Sequence, residues 1–272
     1  MAIVLLIITI LVTAIGLPIA TQVDQQRTIE TQKQLENIKE TIYGFAMTNG
    51  RLPCPATATS AGRESFCTTA GPGACTETLV LQSHGRCAAI VGFVPSSSLG
   101  LSSVDAGGFS VDAWQDGTNL RRITYGVSQY QNPASTFVMT RADGIKTDTM
   151  STTTSSNHLF VCSTGLTTSP PTSNCGTMTV LADKAPFVLL SFGKDATATA
   201  FDSINNQNGD VVFTSGAQNA TFDDIVTWGN LNTLFARMVQ AGKITVTLWR
   251  YGLIYTLNYA LNFAFKLLTP HL

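Results

Sequence analysis

MAIVLLIITILVTAIGLPIATQVDQQRTIETQKQLENIKETIYGFAMTNG, residues 1–50, governs how the rest of the chain is read. Residues 1–23 contain no Asp, Glu, Lys, Arg or His. About 20 apolar residues rising ~1.5 Å each match a hydrocarbon core ~30 Å thick, so this run is long enough to cross a membrane. Charge begins at Asp24. Beyond it Leu35, Ile38, Ile42 and Phe45 recur at spacings of three and four, on one helical stripe, with Arg27, Lys33, Glu36, Lys39 and Glu40 largely off it. The pattern predicts one helix with a transmembrane half (1–23) and an amphipathic half (24–50), stopped by Asn49-Gly50. The surface pairs Arg27/Glu30, Glu30/Lys33 and Glu36/Lys39 each add ~0.2–0.5 kcal/mol. A rod of ~70 Å is too long for one small domain to bury.

Gly16 and Pro18 interrupt the apolar half. Pro18 lacks a backbone donor and its ring clashes with the preceding turn, which predicts a kink or short unwound segment. Bilayers accept such residues where neighbouring helices satisfy the freed backbone groups, so Ala14, Gly16 and Pro18 mark a helix-packing and kink site. A cleaved secretory signal fits poorly, because no basic segment precedes the run and the helical pattern continues where cleavage should fall.

The apolar run with its proline, then an amphipathic helix leading to TNGRLPCPA (48–56), resembles the type IV pilins and type II secretion pseudopilins of bacteria. CAAIVGFVP (87–95), ITYGVS (123–128), PFVLLSFGKDA (186–196) and DDIVTWGNLNTLFARMVQAGK (223–243) are similar to stretches of pilin-like proteins with this LPCP element. The resemblance spans about residues 1–243. It implies a single-pass inner-membrane protein with its head outside the cytoplasm, and an extracellular or periplasmic filament after assembly. The implied partners are other pilin or pseudopilin subunits through the N-terminal helix, the inner-membrane assembly platform and, for a longer natural N-terminus, the prepilin peptidase. Family precursors place a basic leader ending in Gly, then Phe-Thr-Leu-Ile-Glu, before such a run. This chain begins where that Glu should be followed by its next residue, so the resemblance implies either a start codon further upstream or a trimmed fragment.

Beyond the helix, 272 residues leave room for one globular domain, and a charged fraction of 12% with net charge −1 gives no electrostatic case for nucleic acid. Abundant Ser, Thr, Gly and Asn predict short strands between polar turns. The six cysteines, Cys54, Cys67, Cys75, Cys87, Cys162 and Cys175, form an even set in a segment placed outside the membrane, hence a disulfide framework of open connectivity. Locality favours Cys162 with Cys175, Cys67 with Cys75, and Cys54 with Cys87. No paired Cys-x-x-Cys arrangement supports a metal site.

Along the head (51–243), prolines flanking Cys54 enforce extended geometry and 57–85 reads as loop. Residues 88–94 read as a buried strand, 123–128 as a half-buried one, and 136–140, 158–162, 177–182, 186–192 and 210–214 as further strands. A second helix is predicted over 223–241, with Asp223 and Asp224 at its positive end, Trp228, Leu231, Phe235 and Met238 on one stripe, and Gly242-Lys243 closing it. The Ser/Thr tract 150–156 reads as exposed loop. The fold class is therefore α+β: a long N-terminal transmembrane and amphipathic helix, then a disulfide-bonded, mainly antiparallel β head of pilin-like type.

Catalytic patterns fail on their partners. Ser191-x-x-Lys194 has the spacing of serine acyl-transfer enzymes without their companion motifs, and His84, His158 and His271 lack a nucleophile elbow. Oxygen donors at Asp202, Asn205, Asn206, Asn208 and Asp210 lack the EF-hand spacing and read as a polar turn. Asn219-Ala-Thr221 matches a glycosylation pattern that carries little meaning in a chain that resembles bacterial ones. Residues 244–272 form an apolar C-terminal extension, read as atypical or out-of-frame rather than a second membrane segment, because Arg250 and Lys266 are costly there. The resemblance thus implies a non-catalytic, cofactor-free structural subunit of a pilus or pseudopilus. The alternative is a membrane-anchored ligand-binding ectodomain that does not polymerise.

Overall fold

A computed structural model describes residues 2–71, 73–116, 121–131, 136–147, 158–195 and 199–244, leaving the side chains of 2–3 and 5–20 outside that description. Helix α1 (Ala2–Asn49) is followed by a small pair of strands, β1 (Phe66–Cys67) and β2 (Glu77–Thr78), then β3 (Val91–Phe93), the short helix α2 (Ser96–Leu99) and β4 (Thr124–Val127). The chain continues through β5 (Leu159–Ser163), β6 (Val180–Ala185), β7 (Phe187–Ser191), α3 (Phe201–Gln207), β8 (Val212–Ser215), β9 (Ile225–Trp228) and α4 (Leu231–Gln240).

Two sheets stack behind α1. The first, in order β3-β4-β7-β9, is antiparallel throughout; the second, β6-β5-β8, pairs β5 antiparallel to β6 and parallel to β8. Tyr125, Val127, Phe187 and Leu189 pack toward α1 and α4 with Leu35, Ile38, Ile42, Leu234 and Met238. On the opposite face Val188 and Leu190 pack with Leu159, Val161 and Phe213 of the second sheet. With both faces covered, every residue of β4 and β7 is buried.

Helix α1 contributes Thr31, Leu35, Ile38, Ile42, Tyr43 and Ala46 to the interior. The Tyr43 ring meets Phe187 edge-on at 5.3 Å, and its hydroxyl accepts the Asn230 N–H at 2.9 Å. Gly50, at φ 71°, ends the helix and donates to the Ala46 carbonyl. Next, Arg51 makes two hydrogen bonds to Glu64 (2.6 and 2.9 Å) between the rings of Phe45 and Phe66. Glu64 also accepts the Cys54 N–H at 2.8 Å. Disulfides join Cys54–Cys87, Cys67–Cys75 and Cys162–Cys175, the pairs that locality favours.

Several expectations are corrected. The 223–241 segment is not one helix: β9 pairs with β7, and Asn230 caps a shorter α4 by accepting from the N–H groups of Asn232 and Thr233. β-branched Ile225-Val226-Thr227 fills the edge of the sheet, and a Cβ at Gly229 would lie 2.5 Å from the Phe187 ring, so the chain turns closely there. β4 is buried on both faces instead of half-buried. Residues 138–140 form a turn, the 88–94 strand shrinks to half-buried Val91–Phe93, 177–182 shifts to Val180–Ala185, and 57–85 carries β1 and β2. The 202–210 turn is mostly helix α3. The helical assignment of α1 passes unbroken through positions 16 and 18, because one absent donor need not interrupt so long a ladder.

Of the three pairs predicted along α1, Glu36–Lys39 closes at 2.5 Å, whereas Arg27 lies over Trp114 and Lys33 makes no ion pair among the described residues. Among those residues no helix is long and apolar enough to cross a membrane. The side chains of the predicted span 1–23, including Ala14, Gly16 and Pro18, lie almost wholly outside the description, as do 150–156, His271 and all but Ile244 of 244–272.

Two stability outcomes follow. Ile42→Ala, fully buried, should cost ~2–5 kcal/mol in denaturant unfolding, whereas exposed Ile29→Ala should change it by less than ~0.5 kcal/mol; equal costs would show that the stripe is misplaced. Replacing Cys54 and Cys87, which close a separation of 33 residues, by Ser should lower stability by ~3–4 kcal/mol.

Candidate assembly surface

The grip of the head on α1 ends within a few turns. From Thr31 toward the N-terminus the buried stripe stops: residues 21–23, 25–27, 29 and 30 are exposed, with Ile29 at 65%. A strap leading into β4 makes the last contacts. The Ala113 N–H donates to Thr31 Oγ1 (3.2 Å), Gln34 Nε2 donates to the Val111 carbonyl (2.6 Å), and Arg27 sits 5.6 Å above the Trp114 ring. Lys194, just after β7, pairs with Asp24 at 2.7 Å.

Two buried carboxylates fix this end of the head. Asp112 accepts the Trp114 N–H (2.9 Å) and the Ser191 hydroxyl (2.5 Å), locking the strap to β7; burial pushes its pKa up against those bonds. Asp105 accepts the Gly107 and Phe109 N–H groups and pairs with Arg122 at 2.8 Å, which stacks 4.1 Å from the Phe109 ring centre.

A groove of about 860 Å³ opens where α1 leaves the head, with Asp24, Ile29, Trp114, Lys194, Asp195 and Asp223 on its walls. Another, about 800 Å³, lies between Glu30, Lys33, Asn37 and the loop at 102–104. At ~100° per residue the helical positions of the first groove (24, 25, 28, 29) and of the second (30, 33, 34, 37) fall on opposite flanks of α1. The strap runs between them.

The sequence-level candidates disperse. Buried Ser191 donates to Asp112, while exposed Lys194 reaches Asp24, so the two share no reaction centre. His158 is buried and stacked on Tyr130 at 5.2 Å; His84 Nδ1 accepts the Arg86 N–H. Asp202 accepts from the Gly165 and Leu166 N–H groups, Asn205 and Asn206 bond β8, and Asn208 and Asp210 bond each other, so these oxygens do not converge. Among the described residues no group of His, Cys, Asp and Glu is placed to hold a metal ion. Asn219 lies in an exposed turn, its side-chain oxygen accepting from Thr221 and Phe222.

Sequence reasoning missed a polar node behind this surface. Asn206 accepts the Thr214 N–H, donates to the Thr214 carbonyl and donates to Asp224 at 2.7 Å, joining α3, β8 and the start of β9. Asp224 is 2% exposed, and burial, with Asp223 and Asp195 nearby, pushes its pKa up to about 7 against the Asn206 hydrogen bond. The adjacent aspartates were legible, but only as helix-terminal charges.

Because the folded pKa lies above the unfolded one, the stabilisation from protonated Asp224 is complete below about 3.8 and lost as pH rises through about 7. Wild-type unfolding free energy should therefore fall by ~2–3 kcal/mol between about pH 5 and pH 8, and Asp224→Asn should flatten that slope in denaturant titrations. Compared with family models, curated proteins and solved structures, the chain finds no match.

Proposed function

We propose that this chain is a non-catalytic structural subunit of a bacterial type IV pilus or type II secretion pseudopilus, assembling through α1. One observation carries the reading: the head buries a stripe of α1 only from Thr31 onward, whereas the helix continues to Ala2 through positions 21–30, all of them exposed except half-buried Asp24 and Thr28. An apolar run joined through one helix to a folded head suits a subunit held in the inner membrane that exchanges lipid for the helices of its neighbours. Small residues at Ala14 and Gly16 favour close helix approach in that exchange. The disulfide-bonded head then faces outward, and an assembly platform supplies the work. The dispersal of Ser191, Lys194, His84 and His158 is consistent with a structural role.

The test is to shear cells expressing the natural gene and probe the released filament fraction for this protein. Recovery of the protein in filaments is the expected outcome. Recovery from membranes alone would favour an anchored, non-polymerising ectodomain.

A further inference from the structure

We infer that residues 249–257 of the C-terminal extension add a strand to the free edge of β6, antiparallel to it, and complete the second sheet on that side. The inference is independent of the assembly reading above.

Beyond Ile244 the extension carries a period of two. Every odd position from 249 to 267 is Leu, Phe, Tyr or Trp, and the even positions between them are small, polar or charged apart from Ile254. Steps of two turn a helix by ~200° and would spread those large side chains over every face, whereas a strand gathers them on one.

The second sheet offers the place. β6 is the outer strand of the order β6-β5-β8, and among the described residues no strand pairs with its other edge. Val180 and Leu181 point to opposite faces of β6 yet are 52% and 46% exposed, so neither face is covered at that end. The other outer strands are engaged. Ala56 bridges Phe93 of β3, Asn205 and Asn206 bond the Val212 and Thr214 backbone of β8, and Thr227 of β9 bonds Glu36 and Lys39 of α1. A groove of about 280 Å³ lies between residues 181–185 of β6 and residues 228–232, where β9 turns into α4.

Reach selects the occupant. α4 spans Leu231–Gln240, ~15 Å at ~1.5 Å per residue, and Ile244 beyond it packs on the core. Five extended residues after Ile244 cover ~17 Å, so the chain comes back to the groove near Trp249, where the alternation begins. The Gly229 N–H donates to the Phe187 carbonyl, two residues past Ala185, so a segment arriving along α4 meets the C-terminal end of β6 first and runs antiparallel to it. Exposed Asp183 and Lys184 discourage pairing by foreign strands, while the tether holds this segment at ~millimolar effective concentration.

The experiment places a photo-crosslinking benzoylphenylalanine at Leu181 of the full-length chain, irradiates membranes of expressing cells, and digests the product with trypsin. Peptide 147–184 should be joined to peptide 251–266 in a product the size of one chain, and the same label at Val80, 65% exposed elsewhere on the head, should not reach 251–266. Alternate N–H groups of an added strand face its partner, so only one of Leu253→Pro and Ile254→Pro should lower the yield, by about tenfold. No crosslink from Leu181 to 251–266, a product the size of two chains, equal labelling from Val80, or equal effects of the two prolines would each overturn the added strand.

Discussion

A sheet that is apolar on both faces has to be covered twice, and this constraint arranges the head. β4 and β7 are buried along their whole lengths. One cover is the second sheet, through Leu159, Val161 and Phe213; the other is the stripe of α1, with α4 beside it. Helix α1 is therefore part of the core, and the head cannot bury that face without it. The same dependence ties the part of α1 from Thr31 to Ala46 to the sheets through its buried side chains.

Few charges are used, and several are committed to joints. Arg51 and Glu64 fasten the end of α1 to the segment carrying Cys54, where the disulfide to Cys87 then holds the loop. Arg237 and Glu40 tie α4 to α1 with hydrogen bonds of 2.5 and 2.9 Å, and the Arg237 guanidinium holds the Glu40 carboxyl below its ordinary pKa. Both partners of that pair are partly exposed, so it orients more than it stabilises. Asp112 and Asp224 differ: each is buried against hydrogen-bond donors, and burial raises the cost of its charged form.

The base of the head is where these features meet. Asp112 locks the strap, the strap holds Thr31 and Gln34, and beyond that point α1 exposes its surface between two grooves. Ser191 illustrates how a linear motif loses its chemical meaning in three dimensions. Along a strand, neighbouring side chains diverge to opposite faces. Here the hydroxyl turns inward to Asp112 while Lys194, past the strand end, turns outward to Asp24.

The sequence by itself determined the elements whose cause is local or periodic. Leu35, Ile38 and Ile42 declare a buried helical face and Asn49-Gly50 its end, and the short separations of Cys67 from Cys75 and Cys162 from Cys175 favour those two disulfides, because each depends on residues near one another along the chain. Only the tertiary structure decided what rests on distant neighbours. Ile225–Trp228 becomes a strand because β7 offers an open edge, whereas the stripe Trp228, Leu231, Phe235 and Met238 behind Asp223-Asp224 suggested one helix. β4 is buried on both sides because a second sheet covers it, which no alternation within ITYGVS could reveal. The grooves and the Asp224 node were illegible for the same reason. They are made of residues brought together from α1, the strap, α3 and β9, and sequence periodicity carries no information about which elements meet.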